Sequence, residues 1–279
     1  MPADPRALLR RWGLRPRKRY GQNFLVDTAA AQRIARLCVD PAETRAEVRV
    51  LEIGAGTGVL TQALIETGAA VTAVEIDADL VALLQAQPPL QSATIVCADA
   101  LTFDFAGWAH GHAWRVAGNL PYNIATPLIL RLAEMTAGPE TLTVMVQKDV
   151  ADRLVATVGT RAYGSLSVAV QYALHVERAF TLDPSAFYPA PNVRSTVVQL
   201  LRRDRPAVAP HDVALFWKVV RAAFAYRRKT LVNSIALALD LPHATIARAV
   251  AASNLSPELR GERLDLYDFA RLADALADE

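Results

Sequence analysis

From Val48 to Gln147 the chain alternates short apolar runs with stretches whose apolar residues recur at helical spacing. The runs Val48–Ile53, Ala70–Val74, Thr94–Cys97, Trp114–Ala117 and Leu142–Val146 are short and nearly continuous, as strands buried on both faces are. Between them, Val59–Glu66, Ala78–Gln87 and Ile124–Ala133 read as amphipathic helices. Alternation of this kind predicts an α/β doubly wound sheet, mostly parallel, with helices on both sides. Beyond it, Asp149–Thr157 and Leu166–Leu174 read as helices, and Tyr163-Gly164-Ser165 as a turn. Val176–Leu182 and Thr196–Leu201, joined by a proline-rich segment, read as an antiparallel pair at the sheet edge. Arg202-Arg203-Asp204-Arg205-Pro206 and Pro210 read as a linker, and Val213–Ala277 as several helices broken near Leu241-Pro242 and Ser256-Pro257. Two domains are therefore expected, an α/β domain over residues 1–205 that includes a basic amino-terminal arm, and a small all-α domain over 206–279.

Length and composition fit that division: 279 residues with 52% apolar content bury one sizeable core and a smaller lobe. A net charge of +2 announces no polyanion globally, but the charge is clustered. Arg6, Arg10, Arg11, Arg15, Arg17, Lys18 and Arg19 crowd the start with only Asp4 against them, and Lys218, Arg221, Arg227, Arg228 and Lys229 share a stretch without carboxylates. Local clusters of this sort point to phosphate contacts. The expected phosphate-contacting residues, for a nucleic-acid partner, are Arg17, Lys18, Arg19, Arg221, Arg227, Arg228 and Lys229. Cys38 and Cys97 are far apart with no metal-ligand spacing near them, so neither a disulfide framework nor a metal site is expected. No apolar run reaches membrane-spanning length and no signal-peptide core precedes the arm, so the expected setting is reduced and cytoplasmic.

The chemistry is carried by strand ends. The first run leads into Gly54-Ala55-Gly56-Thr57-Gly58, where glycines let backbone amides approach a ligand. Val59 stands where a dinucleotide fingerprint would place its last glycine, which argues against a pyrophosphate. Glu75 closes the second run, about twenty residues further on, where a carboxylate accepts from ribose hydroxyls. Asp99, after the third, is placed to accept from an adenine amine. A nucleoside cosubstrate follows, and the pattern alone does not separate adenosylmethionine from NAD. Asn119-Leu120-Pro121-Tyr122, after the fourth run, combines a carboxamide acceptor, a carbonyl, a stiffened backbone and an aromatic ring. These suit the exocyclic amine of adenine or cytosine, whose lone pair becomes nucleophilic when acceptors hold its hydrogens. Phe187, stiffened by Pro189 and Pro191, is a candidate for the opposite face of that base.

On these motifs the chain resembles the ribosomal small-subunit RNA adenine N6,N6-dimethyltransferases, the KsgA/RsmA family, over nearly its whole length. Gln22-Asn23-Phe24-Leu25 is similar to the family's amino-terminal cosubstrate motif, Glu52–Gly58 to its glycine loop, and Asn119–Tyr122 to its catalytic motif. Phe187–Ser195, Ala223–Leu231 and Leu255-Ser256-Pro257 resemble further family segments. The resemblance implies a class I methyltransferase-like fold, with adenosylmethionine lined by Asn23, Leu25, Gly54, Gly56, Glu75, Asp99 and Asn119 and released as adenosylhomocysteine. It implies direct methyl transfer, without a metal, to two adjacent adenosines near the 3′ end of 16S rRNA, within a small-subunit particle or its precursor, by a monomer. Rival readings are a DNA adenine or cytosine methyltransferase, a large-subunit rRNA dimethyltransferase, and a nucleic-acid-binding factor that kept the fold without catalysis.

Overall fold

The computed structural model describes residues 4–40 and 48–279. In chain order the elements are α1 (Pro5–Arg11), β1 (Phe24–Leu25), α2 (Thr28–Cys38), β2 (Arg49–Ile53), α3 (Val59–Ile65), β3 (Ala70–Glu75), α4 (Ala78–Gln85), β4 (Thr94–Cys97), α5 (Phe105–Ala109) and β5 (Arg115–Asn119). There follow α6 (Ala125–Glu134), β6 (Thr141–Gln147), α7 (Lys148–Leu154), α8 (Ser165–Ala173), β7 (Leu174–Leu182), β8 (Phe187–Tyr188) and β9 (Ser195–Arg202), and then α9 (Val213–Ala225), α10 (Leu231–Leu239), α11 (His243–Ala252) and α12 (Leu266–Ala277).

Seven strands form one sheet in the order β4-β3-β2-β5-β6-β9-β7. The pairs β3/β4, β2/β3, β2/β5 and β5/β6 are parallel, and β9 runs antiparallel to β6 from Ser195 opposite Gln147 to Leu201 opposite Thr141. The expected α/β class is therefore the one observed. The central strands are buried on both faces, which is why they read as unbroken apolar runs. Val116, Val144 and Leu142 lose all contact with solvent, and truncating any of them to alanine would cost about 2–4 kcal/mol. Helix α2 is started by Asp27, whose side chain accepts from the Ala30 amide, and buries Ala31, Ile34, Ala35 and Cys38 along one stripe.

The strand order reverses between β2 and β5, and the crevice outside the carboxyl ends of those two strands is where folds of this kind hold ligands. Gly118 fixes the width of that crevice. A Cβ at this position would stand 2.6 Å from the Ile53 carbonyl oxygen, so only glycine lets the end of β5 run so close to the end of β2.

The chain divides into two compact units, one of residues 1–151 with 176–202 and the other of residues 152–175 with 203–279. The sequence reading drew a single boundary at residue 205; the second unit also takes in 152–175, because their apolar residues pack among its helices. Its core is built from residues such as Phe216, Val220, Ile235, Ile246, Phe269 and Leu272, joined by Tyr163 and Val168. Tyr163, read from sequence as part of a turn, is buried, and its hydroxyl donates to the Leu264 carbonyl at 3.0 Å. Burial, reinforced by Asp265 and Asp268, pushes its phenol far above the ordinary range. Gly164 then caps helix α8. The helix breaks expected near Pro242 and Pro257 are present, between α10 and α11 and between α11 and α12.

Candidate active site

At the crevice lies a cavity of about 340 Å³ whose wall brings together segments from the amino-terminal motif, the glycine loop, the ends of β3 and β4, and residues 119–124. Asn23, Leu25, Gly54, Gly56, Glu75, Asp99, Asn119, Leu120, Pro121 and Tyr122 all line it. Residues spread over a hundred positions of sequence thus meet because the glycine loop, Glu75, Asp99 and Asn119 end or follow strands at the carboxyl end of one sheet, and the Asn119–Asn23 bond ties the segment around the β1/β8 ladder to it.

Glu75, the last residue of β3, is buried and holds the glycine loop in place: its Oε2 accepts from the Gly56 amide at 2.9 Å and its Oε1 from the Asp77 amide at 3.0 Å. Burial raises its carboxyl above the usual range, and those backbone amides pull it back. Gly56 has φ +58°, and a Cβ there would press on the Phe24 ring at 2.9 Å, so a side chain would both strain the backbone and push the amino-terminal motif off the cavity. Asp99 lines the same wall while its Oδ1 accepts from the Leu101 amide at 2.8 Å; the cap and the cavity-lining position coexist.

Asn119 closes β5. Its Nδ2 donates to the Asn23 carbonyl at 2.8 Å, which fixes the carboxamide and leaves Oδ1 as an acceptor at the cavity wall. The Leu120 amide continues the sheet by donating to the Met145 carbonyl at 3.0 Å, so the turn at Pro121 departs from an anchored point. Tyr122 is half-buried, and its hydroxyl is 3.2 Å from Oγ of the fully buried Ser195. Burial pushes the phenol above its ordinary range against the opposing effect of Ser195. The ring is held by its far end, and the hydroxyl stays protonated near neutrality.

Three participants escaped the sequence reading. Glu52 is 1% exposed and lines the cavity with Oε2 lacking any hydrogen-bond partner. Burial lifts its carboxyl to about 8, Thr61 opposing and Glu75 adding to the rise. Asp77, 3% exposed, caps α4 and also receives the Arg17 guanidinium at 2.6 Å and the Gln22 amide at 3.0 Å. Ser195 anchors Tyr122. The only sequence signals were an acid inside an apolar strand, an acid at a helix start, and a serine in a proline-rich stretch.

Two expected roles change. Phe187 does not reach the cavity. In the short ladder of β1 and β8, Leu25 pairs with Phe187 and Phe24 with Tyr188, and Phe187, 1% exposed, is packed among residues such as Leu25, Ala186 and Val197. The alternation along β8 therefore buries Phe187 and leaves Tyr188 partly open. Arg17, 38% exposed, is likewise engaged by intramolecular partners, its guanidinium bridging Asp77 and Asp79, which offset its charge toward phosphate.

A family profile described as ribosomal RNA adenine dimethylase matches residues 13–267. The chain belongs to that family. Its sequence is 42% identical over 283 residues, 98% of this chain and 96% of the relative, to the ribosomal RNA small subunit methyltransferase A of Streptococcus gordonii. It is 40% identical over 276 residues, 96% of this chain and 92% of the relative, to the protein of the same name from Lactococcus lactis. Among solved structures, the 23S rRNA methyltransferase ErmE superposes with a TM-score of 0.70 at 25% identity, covering 91% of this chain and all of that one. A dimethyladenosine transferase from Plasmodium falciparum superposes with a TM-score of 0.71 at 22% identity, covering 89% of this chain and 95% of that one, and shares the fold.

In this rRNA adenine dimethylase the remaining basic residues of the sequence reading are exposed. Arg19 lines the cavity, its guanidinium 4.6 Å from the Tyr20 ring centroid, and Lys18 lines a neighbouring hollow. Arg221, Arg227, Arg228 and Lys229 lie on the surface of the helical unit, the last three in the turn between α9 and α10. Among the described residues no helix is long and apolar enough to cross a membrane.

Proposed function

We propose that this adenosylmethionine-dependent rRNA adenine dimethylase acts on two adjacent adenosines in the 3′-terminal hairpin loop of 16S rRNA, during small-subunit assembly in the cytoplasm and as a monomer. The single observation that carries the chemistry is the Asn119 carboxamide, tied through Nδ2 to the Asn23 carbonyl, which leaves Oδ1 free to accept, in a cavity wall that also includes Tyr122.

The cavity fits the cosubstrate by its donor set. The buried Glu52 carboxyl, kept protonated near neutrality by desolvation, would ionise against a cation such as the ammonium of an amino acid, which offsets the cost of a lone buried charge. Glu75 has lone pairs left for ribose hydroxyls, Asp99 for an adenine amine, and Gly54 and Gly56 let the backbone close on the ligand. Adenosylmethionine supplies a methyl group on a sulfonium that departs as a neutral thioether, giving adenosylhomocysteine.

The chain's part is positioning. Oδ1 of Asn119 and the Leu120 carbonyl accept from the two N6 hydrogens of a target adenine, which localises the nitrogen lone pair and aims it into the cavity. Tyr122 supports the base from one face. An amide does not take up a proton near neutrality and the Tyr122 phenol holds its own, so neither is a general base; the methylated, cationic amine is acidic enough to give its proton to water. The target base must leave its stack to enter, which costs least in a single-stranded loop.

The alternative is methylation of large-subunit RNA, favoured by the likeness to ErmE. Full-length identity of 42% to a small-subunit enzyme outweighs 25% to a large-subunit one. Incubating the protein with labelled adenosylmethionine and unmethylated small or large subunits, followed by mass spectrometry of the RNA, decides between them. Two dimethyladenosines near the 3′ end of the small-subunit RNA are expected; label confined to large subunits would reject the proposal.

A further inference from the structure

Beside the cavity lies a second, larger hollow of about 1,120 Å³, walled on one side by the amino-terminal arm and on the other by residues 188–193. It shares Gly21, Gln22, Asn23 and Tyr122 with the cavity, so the two adjoin at Tyr122, which supports the target base. Arg6, Arg10, Arg15 and Lys18 line it, and no aspartate or glutamate stands among its lining residues. The arm is not loose there. Leu8 and Leu9 of α1 are buried against Phe24, Leu80 and Leu83, and Arg17 is clamped by Asp77 and Asp79, so the basic side chains issue from a fixed backbone.

Resting on the function proposed above, we infer that this groove carries the single-stranded RNA next to the everted adenosine, with Arg6, Arg10, Arg15 and Lys18 on its phosphates. Size and charge decide the class of occupant. The hollow exceeds the roughly 300–1,000 Å³ of small-molecule sites, and four unopposed cations favour a polyanion. A base drawn into the cavity past Tyr122 drags its sugar-phosphate backbone along, and the groove is the continuation of that path. Its wall also offers a surface for unpaired bases. The Arg6 guanidinium lies 5.6 Å from the Tyr188 ring centroid, and paired planar cation and aromatic groups accept stacked bases of any identity. The phosphate contacts thus shift from Arg17, whose charge is offset by Asp77 and Asp79, to Arg6, Arg10 and Arg15, which were not among the expected contacts, beside Lys18, which was.

The test is a salt titration. A fluorescent RNA hairpin with two adjacent adenosines in its loop is bound to the full chain, to the double variant Arg10→Gln/Arg15→Gln, and to Arg17→Gln, by anisotropy from low to moderate salt. With about 0.7 units of slope per phosphate contact on a single strand, the double variant should lower the slope of log affinity against log salt by about 1.4. It should also weaken binding about tenfold at low salt, with adenosylmethionine affinity unchanged. Arg17→Gln should keep the wild-type slope. A double variant with wild-type slope and affinity overturns the groove; if the wild-type protein still methylates the hairpin, the proposed function survives that failure. Loss of slope in the double variant, with no methyl transfer by the wild-type protein to hairpin or subunit, keeps the groove and removes the function. Tyr188→Ala gives a second reading: RNA binding weaker by about tenfold, restored by Tyr188→Phe, follows from stacking, and equal affinity in all three proteins counts against it.

Discussion

The cavity and the groove share four residues yet are opposite in character. One is small and carries the acids Glu52, Glu75 and Asp99, with Arg19 as the basic residue on its wall; the other is about three times larger, basic and free of acids. A cationic nucleoside suits the first and a polyanionic strand the second, and Asn23 and Tyr122 stand on the boundary. The contrast teaches that, on the proposed function, the charge of the two walls alone would sort a cationic cosubstrate from a polyanionic strand. At the boundary, Asn23 fixes the Asn119 carboxamide and so sets the hydrogen-bond geometry for the target base.

Breaking the boundary should have the largest effect. Asn119→Ala is expected to lower single-turnover methyl transfer by about a hundredfold to a thousandfold, while adenosylmethionine and RNA affinities by calorimetry stay within severalfold. Damage confined to the cavity comes next. Glu75→Gln removes a charged acceptor and the hold on Gly56, and should weaken adenosylmethionine roughly tenfold to a hundredfold, leaving the salt slope of RNA binding untouched. Glu52 sharpens the same side through pH. Its carboxyl is raised from 4.5 to about 8 by burial, so the folded chain holds a proton that the unfolded chain has lost. Ligand-free stability therefore declines as pH climbs from near 4.5 toward 8. Binding a cation requires the ionised form, so adenosylmethionine affinity should rise up to about tenfold per pH unit below 8 and then level off. Glu52→Gln should flatten both profiles, read by thermal melts and calorimetry between pH 6 and 9. The smallest effect belongs to the helical unit: charge reversal at Arg227 and Arg228 should weaken RNA binding severalfold at low salt and leave adenosylmethionine affinity alone.

Much of the cavity was legible because strand ends are legible. Apolar runs fixed where β2, β3, β4 and β5 stop, and a doubly wound sheet brings those stops to one edge, so the glycine loop, Glu75, Asp99 and Asn119 could be placed together before any coordinates. What was not legible depended on pairing partners. Arg17 looked like Lys18 and Arg19 until Asp77 and Asp79, some sixty residues away, were seen to engage it. Phe187 and Tyr188 were adjacent aromatics of equal claim; the two-residue ladder with Phe24 and Leu25 decided which faces inward, and strands that short leave no periodicity to read. Glu52 lay in plain sight within an apolar strand, but only its burial and unpartnered oxygen make it a candidate for a ligand contact. The membership of 152–175 in the second unit turned on Tyr163 packing into a core a hundred residues distant.

The most direct test is a crystal structure of the protein with adenosylhomocysteine and a short RNA carrying two adjacent adenosines. The expected result is an adenine everted against Tyr122, its N6 within hydrogen-bond distance of Asn119 Oδ1 and the Leu120 carbonyl, and its backbone leaving through the basic groove. An adenine bound elsewhere, or an Asn119 carboxamide that keeps Oδ1 turned from it, would contradict the account.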